Sequence, residues 1–337
     1  MPCGRWHAVI DMHSDILFDV VRQRDLGRRD VIRSDYGESF KKGGVTALVT
    51  AIYVDQALLP EQALRHALDQ VAALLGEIDD AGGEIVLCRS AADLDRARAS
   101  GALGTILAFE GVEPLHGDLN LLDVFHALGL RCLSLTHSRP NAAGEGAAYG
   151  MEDPRDSRGL TAFGEAVIDR AQRLRILIDL SHLNEGGFWE VLDRTSGPVI
   201  LSHSNARALC PTLRNVTDRQ IRAVAERGGV IGLNCVNGLV KDFDADLDDF
   251  VAQIEYVRNL AGGEHVGLGL DFSDRLFQYL SPAERKRLPP FAAVKGLEDH
   301  GRIPDLVAAL KRRGWSDDAV DALLKDNFVR VFREVVG

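Results

Sequence analysis

The 337-residue chain has little of what marks a secreted scaffold, a membrane protein or a nucleic-acid binder. Its five cysteines are Cys3, Cys88, Cys132, Cys210 and Cys235, an odd number at irregular spacing with no C-x-x-C pair. That excludes a disulfide framework and a zinc knuckle, and suits buried free thiols in a reducing compartment. No apolar run approaches the roughly 18 residues of a membrane span. No signal-like stretch opens the sequence and no anchor-like tail closes it, so a cytoplasmic protein without a membrane partner is expected. Lysine and arginine number 39 against 50 aspartates and glutamates, for a net charge of -11. Long basic runs are missing, so nucleic acid is not an expected partner. Aromatics are only 6% of the chain. Internal repeats, low-complexity tracts and a hinge-like linker are also absent.

What is present is a 46% hydrophobic sequence with 33 glycines, which suits a large core threaded by tight turns. Eight apolar runs read as strands: Ala8–Asp15, Val45–Tyr53, Thr105–Glu110, Arg131–His137, Ile176–Ser181, Pro198–Ser202, Val230–Asn234 and His265–Leu270. Most are continuous in Val, Ile and Leu, the pattern of parallel strands buried on both faces. Helical spacing separates them. Leu64, Leu68, Val71, Leu75 and Ile78 fall at intervals of three and four within 60–79. Further helices are expected over 162–174, 217–227, 299–314 and 316–325, and Ser281-Pro282-Ala283-Glu284 reads as a capping box opening a short one. Strand and helix in alternation predict an α/β protein, a (β/α)8 TIM barrel of the metal-dependent hydrolase type. It should fill 1–337 as one domain with rim loops and C-terminal helices. A doubly wound open sheet is the other fold of this alternation. It would gather its site at one crevice rather than over six strand ends.

The strand ends carry the chemistry. His13, Asp15, Glu110, His137, His182, His203 and Asp271 each fall at or just beyond an apolar run. Alternation along a strand puts Asp11, His13 and Asp15 on one face, so His13 and Asp15 can reach one cation. Glu110 closes Ile106-Leu107-Ala108-Phe109, where a carboxylate is costly to bury without a positive partner. No lysine ends a strand, so a carbamylated lysine cannot bridge two metals; Glu110 can. His182 and His203 end neighbouring runs alike, in Leu-Ser-His, and imidazoles suit zinc. Asp179 or a backbone carbonyl could orient one of these rings. His137 fits a ligand or a non-ligand donor. Asp271, across the rim, is placed to move a proton more than to bind a metal. The remaining histidines, His300 among them, default to surface or packing roles. Gly267-x-Gly269 reads as close strand packing, not a phosphate loop.

These residues sit in segments that resemble the membrane (renal) dipeptidase family of binuclear zinc peptidases. The segments are I-D-M-H-S-D at 10–15, F-E-G at 109–111, L-T-H at 135–137, G-L-T-A-F-G at 159–164, I-L-I-D-L-S-H at 176–182 and V-I-L-S-H-S-N-A at 199–206. They continue with R-N-V-T-D at 214–218, V-G-L-G-L-D-F at 266–272, G-W-S at 314–316 and N-F-V-R-V-F at 327–332. The resemblance implies two zinc ions per chain: His13 and Asp15 on the first, His182 and His203 on the second, Glu110 bridging. A hydroxide between them would attack the peptide carbonyl of a dipeptide, L-Xaa-D-Xaa substrates included. His137 would bind the carbonyl and meet the oxyanion, Asp271 would carry the proton, and Arg214 would hold the terminal carboxylate. Asn141 belongs to the substrate side, and a homodimer is compatible with the family. Another metal-dependent amidohydrolase, acting on a non-peptide amide or a lactone, would use the same cluster. Two departures from the family pattern, Ser138-Arg139-Pro140-Asn141 and Asp271-Phe272-Ser273-Asp274, bear on substrate choice. Arg139 there is an added charge that reads first as a loop arginine facing solvent, and second as one able to favour an acidic side chain.

Overall fold

The computed structural model describes residues 7–153, 155–273, 275, 278, 281–286 and 290–337. Within them, nine apolar runs form strands: β1 (Val9–Ser14), β2 (Val45–Tyr53), β3 (Ile85–Leu87), β4 (Leu103–Glu110), β5 (Leu130–Ser134), β6 (Leu177–Asp179), β7 (Ile200–Leu201), β8 (Val230–Leu233) and β9 (Val266–Leu268). All pair in parallel in the order β1-β2-β4-β5-β6-β7-β8-β9, with β3 attached to β4 outside that path. The expected barrel is present. Strand β3, at three residues, was not among the eight expected. The later strands are also shorter than their apolar runs. β5 stops at Ser134 and β6 at Asp179, so His137 and His182 stand three residues beyond their strands.

Crossovers fold as helices around the strands, including Ile16–Asp25, Ala63–Asp80, Ala162–Arg173, Glu185–Arg194 and Leu247–Ala261. The expected helix at 217–227 runs Asp218–Glu226, with Thr217 and Gln220 closing a reciprocal cap. Residues 299–314 divide into a 3-10 turn, His300–Arg302, and a helix, Ile303–Arg312. Pro282–Arg285 is helical, while the side chains that would complete its capping box lie outside the described residues. Cys88, Cys132, Cys210 and Cys235 are free and buried, and Cys3 is outside the described residues.

Two apolar layers fix the scaffold. One lies between strands and helices. The other joins Ile10, Met12, Ala47, Val49, Ile106, Ala108 and Ile200 to Phe328 and Phe332 of the last helix, Asn327–Val335. The described pairings include no backbone ladder between β1 and β9. Their seam is closed by a side chain instead: the Asp11 carboxylate accepts the Leu270 N–H at 2.9 Å. Gly267 permits that approach, since a Cβ there would come within 2.5 Å of Met12 Sδ. No described helix is long and apolar enough to cross a membrane.

Candidate metal centre

The C-terminal ends of β1, β4, β5, β6, β7 and β9 aim seven side chains at one spot, as the sequence predicted. Glu110 Oε1 is central: His182 Nε2 lies 3.0 Å away, His203 Nε2 3.5 Å and His13 Nε2 3.6 Å. His13 Nε2 is also 3.5 Å from Asp15 Oδ1 and 3.9 Å from Asp271 Oδ1. Three overlapping triads keep their ligand atoms within 4.8 Å: His13–Glu110–His203, Glu110–His137–His182 and His13–Asp15–Asp271. Asp15 occupies the N-cap position of Ile16–Asp25 yet makes no capping hydrogen bond, so its carboxylate turns to the cluster. His182 and Asp271 take φ of 66° and 54°, left-handed values that non-glycine residues adopt at a cost.

Electrostatics show what the cluster lacks. Burial lowers the His13 pKa, but Glu110, Asp15 and Asp271 outweigh it and raise the value to about 10. Burial and the neighbouring Asp15 push Glu110 well above the usual carboxylate range. Burial, then Asp15, raise Asp271 to about 6, against the opposing pull of His13 and Arg214. Burial holds His137, His182 and His203 well below the ordinary imidazole value. A proton on His13 is thus the one positive charge the carboxylates can recruit from within the cluster.

A divalent cation fits better than that proton. His13 Nε2 and Asp15 Oδ1 are buried with no hydrogen-bond partner. The Nε2 atoms of His182 and His203 face each other at 2.8 Å. Mixed imidazole and carboxylate donors are the chemistry zinc prefers. The opposite ring nitrogens are already held. Ser202 Oγ donates to Asp179 Oδ2 at 2.5 Å, so it accepts from His203 Nδ1 at 2.7 Å and leaves Nε2 unprotonated for a metal. Ser138 Oγ holds His182 Nδ1 at 2.8 Å. Metal uptake must therefore displace protons, and affinity must rise with pH. Titrating zinc into metal-free protein at pH 7 in buffers of different ionisation enthalpy should show net proton release. Buffer-independent heats would contradict the charge balance described here.

Above the ligands opens a cavity of about 280 Å³. Asp15, Glu110, His137, His182 and Asp271 line its floor, and Phe18, Tyr53, Tyr149, Val236, Leu239 and Phe291 its walls. Arg214 is 2% exposed; its Nη1 donates to Ser204 Oγ and its Nη2 to the His203 carbonyl, while buried Nε has no partner. Asn141 is used within its own loop, donating to the Leu135 carbonyl and accepting from Ala143 N–H, each at 2.8 Å. Arg139 is likewise engaged, with Glu113 at 2.9 Å and the Val54 carbonyl at 2.6 Å. That leaves little of its charge for a substrate side chain. Its Nη1 also lies 3.5 Å from His137 Nδ1. A guanidinium only donates, so the contact favours the His137 proton on Nε2. Ser138, Ser202 and Asn234, whose Nδ2 donates to Asp271 Oδ2 at 2.8 Å, are supporting residues that strand-end reading missed, and Arg139 was noted for its charge but not for its contact with His137. The serine before His203 was the available hint.

A sequence model of the membrane dipeptidases, peptidase family M19, matches residues 4–336. The chain belongs to this family. A metallopeptidase from Rhodobacter sphaeroides, solved with a phosphinate mimic of the dipeptide L-Ala-D-Ala, superimposes with a TM-score of 0.87 at 27% identity, covering 98% of this chain and all (100%) of the other. Dipeptidase aclJ of Aspergillus oryzae is 31% identical over 306 residues, 88% of this chain and 68% of its own. An uncharacterized protein from the pqqA 5' region of Klebsiella pneumoniae is 34% identical over 272 residues, 79% of this chain and 94% of its own. Family and side-chain cluster together make this a metal-dependent dipeptidase site, with ligands for one or two ions.

Proposed function

We propose that this member of the dipeptidase family binds two zinc ions and hydrolyses dipeptides, including those with a D-residue at the C-terminal position. The observation that carries the reading is the convergence of His13, Asp15, Glu110, His182 and His203, of which Asp15, Glu110 and His182 line a cavity of about 280 Å³. The cavity suits a short substrate. Tolerance of a D-residue is supported by the mimic that the Rhodobacter sphaeroides relative binds. His13 and Asp15 would hold one ion, His182 and His203 the other, and Glu110 both. When bound, zinc supplies Lewis acidity and makes water acidic enough to ionise near neutral pH.

The chain's own residues do the rest. His137, its proton favoured on Nε2 by Arg139, donates to the carbonyl oxygen as charge builds there; one such donor is worth roughly 3 kcal/mol in the transition state. Asp271 takes the proton of the attacking water and delivers it to the departing amine. Burial holds its carboxyl above the value of an exposed aspartate, the direction a group that both takes and gives a proton needs. Asn234 Nδ2 holds Asp271 Oδ2 at 2.8 Å, which leaves Oδ1 on the His13 side for that work. Arg214, with an unpartnered Nε in a buried setting, marks the substrate's terminal carboxylate. The whole chain acts as one barrel unit. A cytoplasmic setting is supported by the four free thiols among the described residues.

A panel of L,L- and L,D-dipeptides and their C-terminal amides, assayed with zinc-loaded enzyme, tests the reading. Free dipeptides should be hydrolysed and the amides poorly so. Arg214→Met should raise KM for free dipeptides about 10- to 100-fold and leave the amides little changed. Equal loss on both would remove the carboxylate role. No turnover of any dipeptide would remove the proposal.

A further inference from the structure

One buried histidine stands outside the metal cluster and has a specific partner. His300 opens a 3-10 turn and is 6% exposed. Its Nε2 donates to Asp11 Oδ2 at 2.8 Å. Asp11, fully buried in β1, uses its other oxygen, Oδ1, for two backbone amides: His13 N–H at 3.2 Å and Leu270 N–H at 2.9 Å. Those amides flank the cluster on both sides of the β1–β9 seam. The His300 ring also meets Phe272 edge-on at 4.7 Å between centroids, and Phe40 at 4.9 Å. His300 therefore touches Phe272 directly and reaches Leu270 through Asp11. Asp271 lies between those two residues.

We propose that His300, acting through Asp11, is a positioning residue that fixes Asp271 for proton transfer. The proposal rests on the reading of Asp271 as the proton carrier. The physical case is that Asp271 has φ of 54° and follows a strand that lacks a backbone ladder to β1 among the described pairings. Such a conformation persists only where its surroundings over-determine it. Leu270 is tied behind it, Phe272 is wedged ahead of it, and Asn234 holds the carboxylate. Without the His300 donor, Asp11 Oδ2 would be left buried and unpaired. The carboxylate would then turn toward other donors and slacken its hold on Leu270. Gly43 allows the His300 turn to come this close, because a Cβ there would collide with the His300 carbonyl.

The test compares His300→Leu, which removes the donor, with His300→Gln, whose amide reaches the Nε2 position. Each is made in the natural chain and in an Asp271→Asn background, and measured zinc-loaded on one dipeptide with zinc content and melting temperature. His300→Leu should lower kcat about 10- to 100-fold with KM within about threefold and zinc content unchanged. His300→Gln should recover most of that loss. In the Asp271→Asn background His300→Leu should change kcat by less than about twofold, because the group it positions is gone. Equal losses in both backgrounds, a Gln variant as impaired as Leu, or an unaffected Leu variant would each overturn the proposal. Should Asp271→Asn by itself leave turnover intact, the proton-carrier reading fails first and this proposal with it. If His300→Leu does not fold, His300→Asn, whose shorter amide falls short of Asp11, takes its place in the same comparison.

Discussion

Exhaustive chelation is expected to lower dipeptide hydrolysis by roughly 10³-fold or more, and two equivalents of zinc to restore it. The reason lies in the charge balance at the floor of the cavity. Asp15, Glu110 and Asp271 share a buried space with His13, and no other cation in the cluster meets them directly. Without metal, the proposed His137 donor and Arg214 anchor would still engage a substrate, but no Lewis acid would join His137 at the carbonyl or ionise the attacking water. Glu110→Gln should be as damaging, because Glu110 Oε1 is the one oxygen within 3.6 Å of His13, His182 and His203 together. It should also separate function from stability. Burial and Asp15 raise the Glu110 pKa, so its ionised form weighs against the folded state as pH rises above the ordinary carboxylate value. The metal-free Gln variant should therefore melt above the metal-free natural protein near neutral pH. Zinc should raise the melting temperature of the natural protein and not of the variant, which calorimetry with and without zinc would show. Full activity after chelation, verified by metal analysis, would contradict the metal assignment.

Asp271→Asn is the second large effect. Positioned proton transfer contributes about 10²- to 10⁴-fold, and kcat should fall by that amount with zinc content unchanged. The pH profile gives an independent reading. Asp271 must be ionised to accept a proton, and its pKa of about 6 sits above that of an exposed aspartate because burial and Asp15 raise it. Turnover should accordingly fall as pH drops through about 6 or somewhat lower, since bound cations pull the value down. The acid limb should vanish in the Asn variant. A variant with natural turnover, or one that retains the same acid limb, would assign the proton transfer to another group.

Much of this side-chain cluster was readable from the chain because each of its members follows an apolar run, and a charged or imidazole group there needs a partner. His182 and His203 were the clearest, each preceded by Leu-Ser after apolar residues. The strand boundaries were less readable. β7 has two residues and β6 three, so the ladder ends while the apolar run continues. The supporting groups were nearly invisible, because their partners lie far along the sequence. His300 meets Asp11 across 289 positions, and Asn234 meets Asp271 across 37. Asp11 did carry a signal, an acid inside an apolar strand that burial obliges to find donors. Which donors it finds depends on the closing of the barrel, and no local pattern contains that. Arg139 shows the converse. Its place in a loop suggested a charge facing solvent or, less directly, a substrate, yet Glu113 and the Val54 carbonyl engage it.

Anomalous diffraction at the zinc edge, from crystals grown with zinc, tests the central assignment most directly. Two peaks are expected, one against His13 and Asp15, the other against His182 and His203, with Glu110 touching both. A single peak, or peaks that Glu110 does not reach, would contradict the binuclear centre.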